Sequence, residues 1–565
     1  MTSPRAHARR MLFVLTCGVA CARATTGATP AAVAQVPTRP NDAVPGARAA
    51  DYDVVIRNGR VIDGMGNPWI LADVAIRDGR FVKIGRVPER GTREIDARGL
   101  YVSPGWIDMM DQSASVLMRN GNADNKLRMG VTTAIGGEGG FPVPASRIAE
   151  YWATLERQGI SINFGNYYSQ TQARVGAMGY VARKPTPEEM AKMKASMDTA
   201  MRAGAMGMTT ALIYPPSSYT TTDELVEVAK VVAQYGGTYA SHIRGEGAEV
   251  VQSIRELIEI SERAGLQGEI FHLKVAHKPG WGVLMDSIKQ VVEAARARNV
   301  DVAADMYVYT AGGTGLEATV PAWAQEGGTD SLKKRLRDPA IRARLKRELQ
   351  TGSPGWWNII EAAGGWDGVV LANPANPNNM KYVGKTLSQI AREMGKEPAD
   401  AAWDLVLDGT ARVTAIYHMM SEPDIETALR FPWTSIGSDA GAALVPGKDD
   451  GVLPHPRSYG NATRVISRYV RDRKAITLEE AVRKQTSWPA SRMKLAGRGS
   501  IKEGNWADVT IFNLETLDDA ATYEKPVEFP KGIEYVLVNG VVTIDHGGQH
   551  TGVRAGRVLY GPGKM

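Results

Sequence analysis

Two histidines occupy equivalent positions in neighbouring segments of predicted sheet. His242 lies in the run Thr238–Ile243, within Ala-Ser-His-Ile-Arg-Gly-Glu, and His272 lies in Glu269–Val275, within Ile-Phe-His-Leu-Lys. Parallel strands bring their carboxyl ends to one edge of a sheet, so we expect both imidazoles to face the same space. Either histidine alone could be a buried core residue, but the pair favours a zinc site.

Two carboxylates follow other predicted strands. Asp439 follows the run Thr434–Ser438, within Ile-Gly-Ser-Asp. A carboxylate there could bind metal or take a proton from metal-activated water, or it could cap a helix. Glu138 follows Val131–Gly136, within Gly-Gly-Glu-Gly-Gly. The flanking glycines allow close approach of the backbone, although acids flanked by glycine also occur in plain turns.

Cationic and phenolic side chains lie near the same strand ends. Lys274 follows His272 by two residues and therefore shares its strand face; Tyr307 and Tyr309 follow the seventh predicted strand. Arg457 lies in His-Pro-Arg after the eighth. Such groups could hold a carboxylate through charge-assisted hydrogen bonds, although each alone could be a solvated surface charge.

The elements that must position these residues alternate between strands and helices. The α/β pattern predicts a (β/α)8 TIM barrel over residues 104–495, with an insertion at about 310–430 that forms a subdomain or lid. The predicted strands are Tyr101–Met109, Val131–Gly136, Ser161–Gly165, Gly207–Leu212, Thr238–Ile243, Glu269–Val275, Asp301–Met306 and Thr434–Ser438. The predicted helices include Glu188–Ala203, Asp223–Tyr235, Gly247–Arg263 and Met285–Arg298.

Both flanks of this middle region are rich in short β runs. Residues 51–103 contain the pair Asn58-Gly59, which is typical of a hairpin turn, and residues 496–565 contain the similar pair Asn539-Gly540. The simplest arrangement is one small β-sandwich built from both chain ends.

Composition excludes several classes of protein. The 565 residues are 43% hydrophobic and 23% charged, which is globular, and no apolar run approaches the roughly 18 residues of a membrane span. The net charge is +6, but four arginines in residues 1–24 supply much of it, and without them it falls to +2. That balance, with no basic run elsewhere, argues against nucleic-acid binding.

The first residues have the pattern of an export signal. Arg5, Arg9 and Arg10 precede the apolar run Met11–Ala20, so residues 1–24 are predicted to be a signal peptide and residues 25–50 a disordered tether. Both cysteines, Cys17 and Cys21, lie in the signal. We therefore expect a cysteine-free periplasmic or secreted protein, with lipid anchoring through Cys21 as an open alternative.

Several motifs, in this order, resemble the amidohydrolase superfamily and, within it, the N-acyl-D-amino-acid deacylase (D-aminoacylase) family over residues 52–552. They are Val54-Val-Ile-Arg-Asn-Gly-Arg-Val-Ile-Asp-Gly, Val102-Ser-Pro-Gly-Trp-Ile-Asp, Gly130-Val-Thr-Thr, Ser241-His-Ile-Arg-Gly-Glu, His272-Leu-Lys, Asp305-Met-Tyr-Val-Tyr, Ile436-Gly-Ser-Asp, His455-Pro-Arg and Gly504-Asn-Trp-Ala-Asp. The resemblance implies a metal-dependent barrel, a flanking β-sandwich and amide hydrolysis.

The resemblance also implies a role for individual residues. His242 and His272 match the zinc histidines, and Asp439 matches the catalytic aspartate. Lys274, Arg457 and one of the two tyrosines, taken as Tyr307, match groups that bind the substrate carboxylate.

Two departures from the family pattern bear on the metal. Met110 and Gln112 stand where the family has a His-x-His pair, and Gly139 stands at the position of a metal-binding cysteine, with Glu138 beside it. We therefore expect a branch of the family without His-x-His, holding one zinc per chain through Glu138, His242 and His272.

The predicted function is an exported zinc amidohydrolase that cleaves an N-acyl amino acid with a free carboxylate. Asp439 would take a proton from zinc-activated water and pass it to the leaving nitrogen. The alternatives are a hydrolase of another amide, a dipeptide or a cyclic amide, and a non-catalytic periplasmic binding relative. The oligomeric state, including a homo-oligomer, stays open.

Overall fold

The computed structural model describes residues 50–443 and 451–564. The predicted signal peptide (1–24) and all but the last residue of the predicted tether (25–50) lie outside the described residues. In the described ranges, no helix combines the length and apolar character needed to cross a membrane.

The strands fall into one mixed sheet, two parallel sheets and one small antiparallel sheet. Their bounds are β1 Tyr52–Val61, β2 Ile70–Arg77, β3 Arg80–Gly85, β4 Gly91–Asp96, β5 Tyr101–Pro104, β6 Trp106–Asp111, β7 Val131–Gly136, β8 Asn163–Asn166, β9 Tyr168–Ser169, β10 Gly207–Ala211, β11 Thr238–His242, β12 Gln267–Ile270, β13 Val302–Met306, β14 Gly312–Gly315, β15 Val369–Asn373, β16 Thr414–Tyr417, β17 Thr434–Ile436, β18 Val509–Phe512, β19 Ile533–Val538, β20 Val541–Asp545 and β21 Gln549–His550.

The α-helices are placed between and around these strands. Their bounds are α1 Ala114–Leu117, α2 Asp124–Arg128, α3 Ile148–Gln158, α4 Gln170–Met178, α5 Pro187–Arg202, α6 Thr222–Ala233, α7 Val250–Ala264, α8 Leu284–Ala297, α9 Ala322–Gln325, α10 Thr329–Leu336, α11 Pro339–Thr351, α12 Ile359–Ala362, α13 Leu387–Met394, α14 Pro398–Asp408, α15 Glu422–Arg430, α16 Arg457–Arg464, α17 Leu478–Gln485 and α18 Ser487–Arg492.

Local sequence signals explain where the main helices begin. Thr186 and Thr221 form reciprocal capping boxes with Glu189 and Glu224, which start α5 and α6. Gly265, at a φ of 72°, ends α7 in the left-handed conformation that glycine adopts at least cost. The four helices predicted over this region are confirmed, with ends displaced by at most three residues.

Both chain ends build one nine-stranded sheet, in the order β21-β20-β19-β18-β5-β1-β2-β3, with β4 paired to β1. Asn539-Gly540 is a two-residue turn with positive φ at both positions, as a hairpin requires. The hairpin predicted at Asn58-Gly59 is wrong, because β1 continues through it and the pair forms a register shift, a β-bulge, against β2.

The parallel strands form two sheets, β6-β7-β8 and β9-β10-β11-β12-β13-β17, which we call the parallel core. The predicted first strand is divided, because Tyr101–Pro104 joins the end sheet and Trp106–Asp111 joins the core. Gly105 makes this change of sheet possible: a Cβ there would lie 2.2 Å from Thr132 Oγ1.

The two sheets of the core meet at both edges, although no continuous eight-stranded ladder forms in the described residues. At one edge the Asp439 N–H donates to the Met110 carbonyl at 2.8 Å. Next to it, the backbones of Asp111 and Ala440 form an isolated parallel β-bridge. At the other edge the Met206 N–H donates to the Asn166 carbonyl at 2.9 Å.

The last part of the chain explains why the ladder of parallel strands is interrupted next to β8. Within residues 496–565, the segment 556–558 pairs with Ile160 and Phe164 at the edge of β8. The Phe164 N–H donates to the Arg557 carbonyl, and the Leu559 N–H donates back to Phe164. This C-terminal tail therefore takes backbone hydrogen bonds that a neighbouring core strand would otherwise make.

The insertion between β13 and β17 has a sheet of its own, in the antiparallel order β14-β16-β15. Its helices α9 to α14 pack around buried apolar residues such as Leu345, Leu387 and Trp403. Trp357 and Ile359 from this insertion reach the carboxyl edge of the parallel core and line the cavity described below.

A buried lysine fastens β6 to the segment that carries Asp439. Lys126 is fully buried and its ammonium lies 2.8 Å from both Asp108 and Asp111. The Ser438 N–H donates to Asp108 at 2.8 Å. The ion pairs thus lie directly beneath the site and fix the backbone next to Asp439.

Replacement of Lys126 with methionine should lower the free energy of unfolding by about 3–5 kcal/mol, because it leaves two buried carboxylates without their cation. The shift in the denaturation midpoint measures this. The matched control is Lys230→Met, which removes a half-exposed lysine from its pair with Glu227 and should cost under about 1 kcal/mol. Equal shifts in the two variants would contradict the expected role of Lys126.

Candidate metal centre and active site

Four of the residues predicted from sequence converge at the carboxyl edge of the parallel core. His242 is the last residue of β11, and His272 follows β12 by two residues. Glu138 follows β7 by two residues, and Asp439 follows β17 by three. Because each lies at or just after the carboxyl end of a parallel strand, their side chains face a common cavity.

Glu138, His242 and His272 form a compact donor set. Glu138 Oε1 lies 2.6 Å from both His242 Nδ1 and His272 Nε2. The three ligand atoms all lie within 4.8 Å of one another. Two imidazole nitrogens and one carboxylate are donors that zinc accepts, so these residues fit the predicted metal.

The electrostatics of the donor set suit a cation. Burial raises the pKa of the Glu138 carboxyl, but the adjacent His242 and His272 rings lower it by more. The net result is a pKa well below the ordinary value. Burial and Lys274 lower the pKa of His272, yet Glu246 and Glu138 outweigh them and raise it to about 9. Glu138 is therefore ionised at neutral pH, and His272 holds a proton that a metal would displace.

Zinc binding at pH 7 should release about one proton per metal ion, since the His272 ring must lose its second proton to ligate. Isothermal titration calorimetry of the metal-free protein in two buffers of different ionisation enthalpy measures the release. Affinity should rise with pH up to the pKa of His272, about 9. Release of less than about half a proton would contradict this protonation state.

Asp439 is held between two donors on opposite sides. Arg457 Nη2 lies 2.8 Å from Asp439 Oδ2, and Gln112 Nε2 donates to Oδ1 at 3.3 Å. The backbone at Asp439 is left-handed, with a φ of 49°, and that at His272 has a φ of 38°. Left-handed backbone is rare for residues other than glycine, and here it occurs at two residues of the candidate site.

Arg457 has hydrogen-bonding capacity that no group of the described residues uses. It is buried, and within residues 50–443 and 451–564 its Nε and Nη1 atoms have no hydrogen-bond partner. Its guanidinium lies 4.5 Å from the centre of the Tyr307 ring. The backbone N–H of Arg457 donates to His455 Nδ1 at 3.1 Å. Arg457 lines the cavity, and its positive charge and remaining N–H groups are suited to an anion such as a carboxylate.

The structure separates the two candidate tyrosines. Tyr307 is buried, lines the cavity and lies with its ring 5.5 Å from the Lys274 ammonium. Burial raises its pKa well above the ordinary value, so its hydroxyl stays protonated. Tyr309 instead directs its hydroxyl toward Asp519 at 3.4 Å and does not line the cavity. This favours Tyr307, the residue selected from sequence.

The cavity has a volume of about 300 Å³, which is at the small end for a ligand site. Besides the residues above, its wall contains Ile213, Tyr214, Trp357, Ile359, Arg412 and Met419. Arg412 is paired with Glu317, so its charge is already compensated. The cavity therefore combines a charged floor with a partly apolar wall.

Glu246 is the site residue that the sequence interpretation did not select. It is 3% exposed, and its Oε1 lies 2.5 Å from Lys274 Nζ and 3.0 Å from His272 Nδ1. Burial raises the pKa of Glu246, but Lys274 and the two histidines lower it by more, so its pKa lies below the ordinary value. The available signal was the acid that ends the Ser-His-Ile-Arg-Gly-Glu motif, four residues after His242.

Met110 and Gln112 do not supply imidazoles where the family resemblance implies a His-x-His pair. Met110 is fully buried among apolar residues such as Met109 and Ile135. Gln112 lines the cavity and directs its amide toward Asp439. Among the described residues, Glu138, His242 and His272 are the group of three acidic, histidine or cysteine side chains close enough to hold a metal ion.

Comparison with known proteins agrees with this site. Residues 392–544 match a family model described as the amidohydrolase family. The chain is 32% identical over 530 residues to the D-aminoacylase of Alcaligenes xylosoxydans xylosoxydans, which covers 90% of this chain and 97% of the relative.

Two solved structures are similar over nearly their full length. A crystal structure of D-aminoacylase has a TM-score of 0.75 and 30% identity, covering 90% of this chain and all of the other. The N-acyl-D-glutamate deacylase of Bordetella bronchiseptica, solved with zinc and a phosphonate mimic of the tetrahedral intermediate, has a TM-score of 0.75 and 28% identity, covering 90% and 99%. From this similarity and the shared α/β amidohydrolase fold, the chain belongs to the D-aminoacylase family of the amidohydrolase superfamily.

Proposed function

We propose that this protein is a zinc-dependent hydrolase of N-acyl-D-amino acids. The observation that carries the proposal is one cavity that combines the Glu138, His242 and His272 donor set with Asp439 and the unpartnered N–H groups of Arg457. The first three fit a zinc ion, Asp439 fits a proton carrier, and Arg457 fits the carboxylate that every N-acyl amino acid has.

Zinc bound in such a site lowers the pKa of water toward about 7 and polarises an amide carbonyl. Asp439 accepts the proton of the attacking water on Oδ1 or Oδ2 and later delivers it to the amide nitrogen as the C–N bond breaks. One water and one amide thereby give a carboxylic acid and a free amine. Gln112 and Arg457 keep the carboxylate of Asp439 in place during this transfer.

Arg457 and Tyr307 orient the substrate in this proposal. Arg457 binds the α-carboxylate through its charge and an unpartnered N–H group, and the protonated Tyr307 hydroxyl, which lines the same cavity, can donate to it. Fixing this end of the molecule brings the amide to the donor set, which is the proximity contribution of the site.

We further propose that the site holds one zinc, as a branch of the family without the His-x-His pair. Met110 is buried in apolar surroundings, and Gln112 donates its amide to Asp439, so neither offers the imidazole that a second ion would need.

Elemental analysis of the purified protein, followed by assays of N-acyl amino acids of both hands, tests the function. We expect about one zinc per chain and release of free D-amino acid. Zinc with activity only on dipeptides or cyclic amides would favour the second hydrolase alternative. Absence of both zinc and activity would favour the non-catalytic binding relative.

Arg457→Lys should reduce kcat/KM for an N-acyl-D-amino acid about 100-fold, mostly through KM, because the lysine ammonium cannot reproduce the fixed planar set of N–H donors of the guanidinium. The matched substrate is the corresponding N-acyl-D-amino acid amide, which has no carboxylate, and here the variant should lose less than about 10-fold. An equal loss on both substrates would exclude carboxylate binding by Arg457.

We also propose export to the periplasm or medium. The support is the run of Arg5, Arg9 and Arg10 before the apolar segment Met11–Ala20. Cell fractionation and N-terminal sequencing of the recovered protein test this. Full-length protein in the cytosolic fraction would overturn it, and labelling with a fatty acid would show anchoring through Cys21.

A further inference from the structure

We propose that Glu246 is a positioning residue for the metal centre, which holds the His272 ring in the tautomer that can bind zinc and keeps Lys274 directed into the cavity. This inference rests on the proposed zinc site. Glu246 lies in the loop between β11 and α7, and its carboxylate contacts both His272 and Lys274.

The first step of the argument concerns the orientation of His272. Its Nε2 lies 2.6 Å from Glu138 and belongs to the donor set, whereas its Nδ1 points the other way, 3.0 Å from Glu246 Oε1 and 2.6 Å from Lys274 Nζ. A neutral imidazole that ligates through Nε2 carries its proton on Nδ1. That proton needs an acceptor.

The second step decides between the two neighbours of Nδ1. The Lys274 ammonium has only donors, so it cannot accept the proton, whereas the Glu246 carboxylate can. Glu246 Oε1 also accepts from Lys274 Nζ, at 2.5 Å. With zinc bound, His272 Nδ1–H and the Lys274 ammonium would therefore both donate to Glu246 Oε1. His272 Nδ1 then carries a proton and cannot accept a hydrogen bond from Lys274.

The third step concerns His242. Its Nδ1 faces Glu138, and its Nε2 is buried without a hydrogen-bond partner in the described part of the chain, 3.7 Å from Glu246 Oε1. Glu246 is thus the nearest described carboxylate to the far nitrogen of both histidines.

The fourth step is that the loop itself is fixed. The Glu246 carbonyl accepts from the Ala276 N–H at 2.8 Å, and Trp357 packs so closely on Gly247 that a Cβ there would lie 2.6 Å from the indole. These contacts fix the backbone of the loop that carries the carboxylate, as a pre-organised support for ligands requires.

Zinc affinity of the Glu246→Gln variant, measured by competition with a chromogenic chelator, tests the inference. We expect the dissociation constant to rise about 10- to 100-fold, with a higher KM for N-acyl-D-amino acids because Lys274 loses its counter-ion. The matched control is Glu256→Gln, which alters a carboxylate on α7 that pairs with Arg244 and does not touch the histidines. Zinc affinity and KM within twofold of wild type in Glu246→Gln would overturn the inference.

A measurement on wild-type protein covers the case in which Glu246→Gln does not fold. The zinc-loaded protein should show a slowly exchanging downfield proton signal from His272 Nδ1–H in its NMR spectrum, assigned by selective histidine labelling. A proton on Nε2 instead would overturn the inference. If wild-type protein binds no zinc at all, the proposed function fails, which is a result distinct from either of these.

Discussion

Asp439→Asn should lower kcat for an N-acyl-D-amino acid by about 10³-fold while the zinc content stays that of the wild type. Asparagine is nearly isosteric and can still accept the hydrogen bond from Arg457, so the shape of the cavity is kept. Its amide cannot accept the proton of the attacking water, and it cannot return a proton to the leaving nitrogen. Chemistry is therefore lost and metal binding is retained.

Steady-state assays and elemental analysis on the same preparation separate these effects. The matched control is Asp424→Asn, which changes a buried aspartate outside the cavity that accepts from the Gly282 N–H. That variant should retain activity within about threefold, as expected for a change that touches no reacting group. If Asp439→Asn kept a tenth or more of wild-type kcat, another group would have to carry the proton.

Glu138→Gln should remove both zinc and activity. The carboxylate is the anionic member of the donor set, and it lies 2.6 Å from a nitrogen of each histidine. A carboxamide is a weak zinc ligand, and only two strong ligands would remain. The loss of several kcal/mol of Lewis-acid stabilisation corresponds to about 10³-fold or more in kcat/KM.

Chelation and reconstitution provide the measurement. Wild-type protein treated with a chelator should regain activity with added zinc, whereas Glu138→Gln should not. Gly139→Cys in the same background offers a rescue, because a Cβ at Gly139 meets nothing closer than Gln112 Oε1 at 4.0 Å. A thiolate there should restore part of the zinc binding. Full zinc content in Glu138→Gln alone would show that Glu138 does not ligate.

The sequence predicted the strand-end residues because strand periodicity and chain order determine which residues emerge at a common edge. His242, His272 and Asp439 could be found in this way, since each lies within three residues of a strand end. Glu246 could not, because its contact with His272 depends on the path of a loop. Loop paths follow from tertiary contacts, such as that of Trp357 with Gly247, which have no local sequence signal.

The same limit applies to the fold. The alternation of strands and helices predicted the parallel core, but not the pairing of residues 556–558 with the edge of β8, which joins segments nearly 400 residues apart. Asn58-Gly59 failed as a hairpin although Asn539-Gly540 formed one, because β1 continues beyond Gly59 and pairs with β2 and β5. A turn dipeptide permits a reversal, and the neighbouring strands decide whether it occurs.

The left-handed backbone at His272 and Asp439 means that thermal stability and catalytic rate make opposite demands on these positions. A non-glycine residue in this conformation costs about 1–2 kcal/mol, which glycine would recover. Asp439→Gly would therefore relieve the backbone and remove the proton carrier at the same time. A mutant library ranked by melting temperature alone would enrich inactive proteins at this position. Selection for higher thermal stability therefore has to include a selection for catalysis.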